Sequence, residues 1–185
     1  SNYGESGHSR IKQWLDFIDA TENKNEWQKI NLVNDFFGGD YHSNFKGRGM
    51  TFSEENYLKS IYTLQKEHPK GVSTNVLSKY LDTKPASATE MIKKLDEKGL
   101  VHYQPYQGVI LKDSGAVSAL KVIRKHRLWE TFLANKLDFS WDEIHDVAEQ
   151  LEHIKSDKLI RELDKFLGYP KHDPHGDPIP DEAGN

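Results

Sequence analysis

Residues 73–111, STNVLSKYLDTKPASATEMIKKLDEKGLVHYQPYQGVIL, decide the fold. Ser73 is a capping-type residue ahead of a short helical pattern formed by Val76, Leu77, Tyr80 and Leu81. Asp82-Thr83-Lys84 reads as a tight turn. Pro85 suits the first position of the next helix, where its missing N–H is no loss. That helix holds Met91, Ile92 and Leu95 inside, runs to Lys98 and stops at Gly99. Val101-His102-Tyr103 and Val109-Ile110-Leu111 flank Gln104-Pro105-Tyr106-Gln107-Gly108, which predicts two short strands and a turn. Just upstream, Ser53 caps a helix through Gln65 with Tyr57, Leu58, Ile61, Tyr62 and Leu64 apolar. Helix, short helix, turn, helix and hairpin together predict a winged helix-turn-helix.

Working outward, a helical pattern runs from about Ser114 to Asn135 and another from Ser140 to Leu167. The tail from Tyr169 to Asn185 has four prolines and two glycines, so an extended segment without its own core is expected. On the other side, Ile11, Trp14, Leu15 and Ile18, then Trp27, Ile30, Val33, Phe36 and Phe37, predict a helical hairpin. GGDYHSNFKGRG follows, with the glycine content of a linker. The expected fold is therefore mainly α. Residues 1–49 form a helical extension, or a tag- or fusion-derived segment, with a Gly-rich linker. Residues 50–113 form a winged helix-turn-helix DNA-binding domain. Residues 114–170 form an all-helical metal-binding and dimerisation domain, and 171–185 a Pro-rich linker.

Composition narrows the function. The 185 residues include no cysteine, which excludes disulfide scaffolds, thiolate nucleophiles and Cys-based zinc or iron–sulfur sites. No apolar run approaches the roughly 18 residues of a membrane span, and no signal peptide opens the chain, so a cytoplasmic protein without membrane contact is expected. The net charge of −4 is unevenly spread. Residues 50–113 have 9 basic and 8 acidic groups, whereas 114–185 have 10 and 14 together with five of the nine histidines. Acidic residues and histidines concentrated in one region point to a cation.

A duplex major groove admits one α-helix, and a helix-turn-helix presents it N-terminus first. Thr83, Lys84, Pro85, Ala86, Ser87 and Thr89 are the candidate DNA contacts at that end. The small residues allow close approach, Ser87 and Thr89 offer hydroxyls, and Pro85 and Ala86 suit thymine methyls. Lys93, with Lys94 and Lys98, suits phosphates, and Tyr106 and Gln107 at the wing tip suit the adjacent backbone. With so little excess positive charge, tight binding to a double-stranded operator is expected to need a homodimer.

His145, Glu149, Glu152 and His153 fall at i, i+4, i+7 and i+8, in one stripe of a helix. His126 and Glu130 are i, i+4 partners on the helix before it. Imidazole nitrogens and carboxylates converging from two helices suit a divalent first-row ion. Without sulfur donors the preference is for Mn2+ or Fe2+, Mn2+ favoured, with Zn2+ as a possible substitute. No catalytic residue and no enzyme activity are expected.

Three segments resemble the diphtheria toxin repressor family of iron- or manganese-dependent transcriptional regulators, its manganese transport repressors in particular. They are Ser53-Glu54-Glu55-Asn56-Tyr57-Leu58-Lys59-Ser60-Ile61-Tyr62, Arg124-Lys125-His126-Arg127-Leu128-Trp129-Glu130, and His145-Asp146-Val147-Ala148-Glu149-Gln150-Leu151-Glu152-His153. The resemblance spans roughly Met50 to Asn185 and implies a repressor controlling manganese or iron homeostasis. By position it implies Glu149, Glu152 and His153 as primary metal ligands joined by Asn56, and His126, Glu130 and His145 as an ancillary set. Glu149 stands where iron-type members have Cys. Asn56 stands where members supply Asp or Met, and Lys59 where some manganese members supply a second acid. The ending Asp173 to Pro180 resembles the linker before an SH3-like third domain, so residues 171–185 are expected to lead towards such a domain, one that these 185 residues do not include.

Two other readings use the same residues. A ferritin-like carboxylate-bridged metal enzyme needs a Glu from each of two helices and Glu-x-x-His from each of two more. A metal-independent winged-helix regulator needs none of the acidic and histidine stripe.

Overall fold

The computed structural model describes residues 49–137 and 139–184. The N-terminal hairpin expected over residues 9–37 and the linker after it lie outside the described residues. Met50 onward forms one compact unit.

Helix α1 spans Phe52–Gln65 and starts one turn-defining residue pair earlier than the sequence reading placed it, with Thr51 rather than Ser53 as its cap. The reason is reciprocal hydrogen bonding. Glu54 N–H donates to Thr51 Oγ1 at 3.2 Å, and Thr51 N–H donates back to Glu54 Oε2 at 3.0 Å. Ser53 has Asn56 three residues on and lacks the Glu or Gln that closes such a box. Helix α2, Thr74–Tyr80, is capped by Ser73, and α3, Pro85–Glu97, begins with Pro85 as expected. Gly99, at φ +71°, ends α3, and Leu100 N–H returns to Leu95 O at 3.0 Å.

Strands β1, Val101–Gln104, and β2, Gly108–Leu111, pair antiparallel with Val101 opposite Leu111 and Gln104 opposite Gly108. Val72 adds a bridge to Val109. Buried Tyr57, Leu58, Ile61, Leu77, Ala88, Ile92, Leu95, Val101 and Val109 form a core that continues into Ala119 of the next helix. The winged unit and the helical half are therefore packed together.

Helix α4, Asp113–Lys136, is the long spine of the second half, with α5, Trp141–Leu151, and α6, Asp157–Phe166, packed on it. The sequence reading ran one helix from Ser140 to Leu167, but the chain breaks over residues 152–156. Ser156 accepts a hydrogen bond from Leu159 N–H and starts a new helix, while Glu152 and His153 turn into the interior. Hydrophobic phase in fact shifts at this break: Ile160 and Leu163 fall about half a turn out of register with Ile144, Ala148 and Leu151, a signal that the reading of one helix passed over.

The tail also departs from a free extended segment. Asp173 Oδ1 accepts from His175 N–H at 2.8 Å and from Asp177 N–H at 2.9 Å, closing a turn. Arg127 reaches Asp173 and the Pro178 carbonyl, and Arg124 holds the Pro180 carbonyl at 2.9 Å and Asp164 at 2.7 Å. Two arginines one turn apart on α4 thus pin the tail against it. Among the described residues, no helix is long and apolar enough to cross a membrane.

Candidate metal centre and nucleic-acid interface

The stripe on α5 faces α4 on one side and α1 on the other. On the α4 side, His126 Nε2 lies 3.0 Å from Glu130 Oε1 and Nδ1 lies 2.6 Å from Glu152 Oε2. Glu130 and Glu152 are both buried. His145 sits at the rim, with Nδ1 3.4 Å from Glu130 and Nε2 3.5 Å from Glu149. One donor atom from each of His126, Glu130 and His145 lies within 4.8 Å of the others.

On the α1 side, Lys59 Nζ lies 2.8 and 2.9 Å from the two oxygens of Glu152 and 3.5 Å from Glu149. His153 Nε2 is 3.7 Å from Glu152 Oε1. Its Nδ1–H donates to Glu55 Oε2 at 2.6 Å, and Phe52 stacks on its ring at 4.8 Å. Lys155 pairs with the other oxygen of Glu55. Asn56 is half-buried on α1, and its side-chain amide makes no hydrogen bond among the described residues. The two ligand sets that the resemblance keeps apart therefore share one network, joined by the hydrogen bond between His126 and Glu152.

The electrostatics follow from that network. Burial opposes charge on His126, yet hydrogen bonds to Glu130 and Glu152 raise its pKa to about 9. Burial would raise Glu152, but His126 and Lys59 hold it below its ordinary range. Glu130 is likewise held down against burial by His126, and Glu55 by His153, Lys125 and Lys155. Carboxylate oxygens are hard donors and imidazole nitrogens borderline ones, so the residues fit a divalent first-row cation.

Sequence reasoning missed three groups at this centre. Glu55 orients His153, the outer partner that a metal-binding imidazole ordinarily has. Lys155 supports Glu55. His175 comes from the tail, with Nε2 3.6 Å from Glu130 and its ring 4.7 Å from Trp141. A Glu in the first turn of a helix looks like an ordinary dipole complement, so Glu55 left no distinguishing signal. The histidines of the acidic last third were a usable signal for His175.

On the nucleic-acid side, Lys84, Pro85, Ala86 and Ser87 are exposed at the start of α3, which has no side-chain cap. Thr89 is half-buried and its hydroxyl donates to the Pro85 carbonyl at 2.9 Å. Thr83 is half-buried beside the Tyr57 hydroxyl. Lys94 and Lys98 do not stand free for phosphates, because each lies within 2.9 Å of buried Glu54 on α1. Burial would raise Glu54, but hydrogen bonds from Lys98 and Lys94 take its pKa down to about 2. Lys93 is exposed and has no partner among the described residues. At the wing tip, Tyr106 is fully exposed at φ +67°, with Gln107 exposed beside it.

Two family models match this arrangement in order. Residues 50–109 match the iron-dependent repressor N-terminal DNA-binding domain, and residues 112–181 match the iron-dependent repressor metal-binding and dimerisation domain. The chain belongs to the diphtheria toxin repressor family. This family of metal-dependent transcriptional repressors includes the iron-dependent repressor IdeR of Mycobacterium tuberculosis, 31% identical over 126 residues, which are 68% of this chain and 54% of IdeR. An uncharacterized HTH-type transcriptional regulator of Methanocaldococcus jannaschii is 36% identical over 64% of this chain and 94% of its own length. A manganese-dependent transcriptional repressor in complex with manganese superposes with TM-score 0.66 at 47% identity, covering 71% of this chain and 60% of that one. ScaR with bound Zn2+ gives 0.63 at 37%, covering 70% and 60%. This family member thus spans little more than half of IdeR and three fifths of those two repressors.

Proposed function

We propose that this protein is a metal-responsive repressor that binds a double-stranded operator as a homodimer and controls manganese or iron homeostasis in the cytoplasm. The observation behind this reading is that one helix, α1, touches both candidate sites. Glu55 and Lys59 reach His153, Glu149 and Glu152, while the neighbouring Glu54 holds Lys94 of α3 and Lys98 at its C-cap. A shift of α1 against α5 therefore moves the recognition helix.

Residues 50–113 serve as the DNA-binding half and 114–170 as the metal-binding and dimerisation half. Glu149, Glu152, His153 and Asn56 would hold one ion, and His126, Glu130 and His145 a neighbouring one. A divalent ion supplies a compact double positive charge to these carboxylates. Mn2+ or Fe2+ suits the donors, with Mn2+ favoured and Zn2+ as a substitute. Lys84 to Ser87 and Thr89 face the groove, Lys93 a phosphate, and Tyr106 and Gln107 the flanking backbone. Thr83, in the turn before α3, completes the DNA-facing set. DNA half-sites impose a set separation on two recognition helices, so the arrangement of α1 against α5 selects the DNA-competent dimer. Phe166 and Tyr169, 57% and 59% exposed, offer aromatic surface for a partner copy.

The ferritin-like reading has no observation in its favour. The helical donors here come from α4 and α5 with Asn56 on α1, and Glu149-x-x-Glu152 replaces Glu-x-x-His. Operator binding measured with and without Mn2+, Fe2+ and Zn2+ tests the proposal, and metal-insensitive affinity would overturn it.

A further inference from the structure

The Lys59 ammonium occupies a cation position at the candidate metal centre. Its Nζ faces both oxygens of Glu152, at 2.8 and 2.9 Å, and Glu149 Oε1 at 3.5 Å. The Glu152 side chain is wholly buried and that of Lys59 is only 18% exposed, so solvent screens this contact poorly. Glu149 in the last turn of α5 and Glu152 at its C-cap lie three residues apart and repel each other. The ammonium neutralises part of that repulsion from across the α1–α5 junction.

The remaining capacity of Glu152 is also used. Oε2 faces His126 Nδ1 at 2.6 Å, and Oε1 has His153 Nε2 at 3.7 Å. A second cation that drew on the same two oxygens would sit against the ammonium, and two positive charges at such separations repel strongly where screening is weak. Lysine can yield the position readily, because its ammonium rides on a flexible four-carbon stem.

We propose that Lys59 is the resident counter-cation of the Glu149–Glu152 site, and that metal uptake there is an exchange in which a divalent ion replaces its ammonium. Lys59 thereby sets the metal concentration at which the protein responds. It also ties that exchange to α1, since losing Glu152 frees the side chain that links α1 to α5. This inference rests on the reading that Glu149, Glu152 and His153 take a divalent ion.

The test uses the full chain without DNA and Mn2+ alone, with free Mn2+ followed by electron paramagnetic resonance. K59M removes the charge and keeps much of the stem, and should bind Mn2+ at least about tenfold more tightly than wild type. Its metal-free form should melt at a lower temperature, with the gap closing when Mn2+ saturates the site. If metal-free K59M does not fold, K59Q provides the same comparison with a neutral polar side chain. Unchanged or weaker Mn2+ binding by the neutral variant overturns the exchange. An E152Q control separates the two failures, because wild-type Mn2+ affinity in E152Q would remove the site itself whatever Lys59 does.

Discussion

His153 Nδ1 lies 2.6 Å from Glu55 Oε2, a hydrogen bond between residues 98 positions apart. It joins the first turn of α1 to the break after α5 and leaves Nε2 as the nitrogen directed toward Glu152. With Nδ1 donating to a carboxylate, the ring is fixed in one tautomer and one orientation.

Replacing Glu55 by Gln should therefore weaken metal binding without deleting a ligand. Loss of such an outer partner ordinarily costs about 10–100-fold in affinity. Mn2+ titration of E55Q checks this, and wild-type affinity would show that the contact does not orient His153.

Glu152→Ala should abolish metal-stimulated operator binding, but the fold should not escape unharmed. Buried Glu152 balances both Lys59 and His126, and removing one partner of a buried pair costs about 3–5 kcal/mol. Chemical denaturation of the metal-free variant measures the loss. A destabilisation close to zero would mean that water reaches this centre and replaces the carboxylate.

Stability of the metal-free protein should depend on pH in two limbs. Glu54 falls from 4.5 to about 2 on folding, so its contribution is complete above 4.5 and lost as pH drops toward 2. His126 rises from 6.5 to about 9, so its contribution is complete below 6.5 and lost as pH climbs through 9. These two groups together favour the window between 4.5 and 6.5. E54Q should flatten the acid limb and H126Q the alkaline limb in melting curves.

Lys93→Ala should weaken binding to operator and random DNA alike and lower the salt slope by about 1. Lys94→Ala should instead act chiefly on stability, because Lys94 is paired with Glu54. Affinities at several salt concentrations, beside melting temperatures, distinguish the two. Equal effects on the slope would mean that DNA draws Lys94 away from Glu54.

Gly115→Ala tests the seam between the halves. A Cβ at Gly115 would lie 1.9 Å from the Leu100 carbonyl oxygen, which also accepts from Lys112 N–H. The start of α4 must then lift from the wing, at about 1–3 kcal/mol. Unfolding of G115A in urea reads this directly.

Local chemistry determined much of this protein from sequence alone. The spacing of Val76, Leu77, Ile92 and Leu95, with Pro85 opening and Gly99 closing α3, specifies the helix-turn-helix. The i, i+4, i+7, i+8 spacing of His145, Glu149, Glu152 and His153 marks four candidate donors, of which His145 and Glu149 lie on α5 and Glu152 and His153 in the turn that follows it. Tertiary structure decided which charges meet. Lys94 and Lys98 look like phosphate ligands until Glu54 arrives from 40 and 44 residues away, and Lys59 looks like a surface lysine until α1 packs beside Glu152. The pinned tail and His175 near Glu130 also emerge only there, whereas the break over residues 152–156 had a sequence signal in the phase shift to Ile160 and in Ser156. Periodicity reports which side of a helix is apolar. Pairing between buried charges depends on which helices face each other, and hydrophobic phase leaves that open.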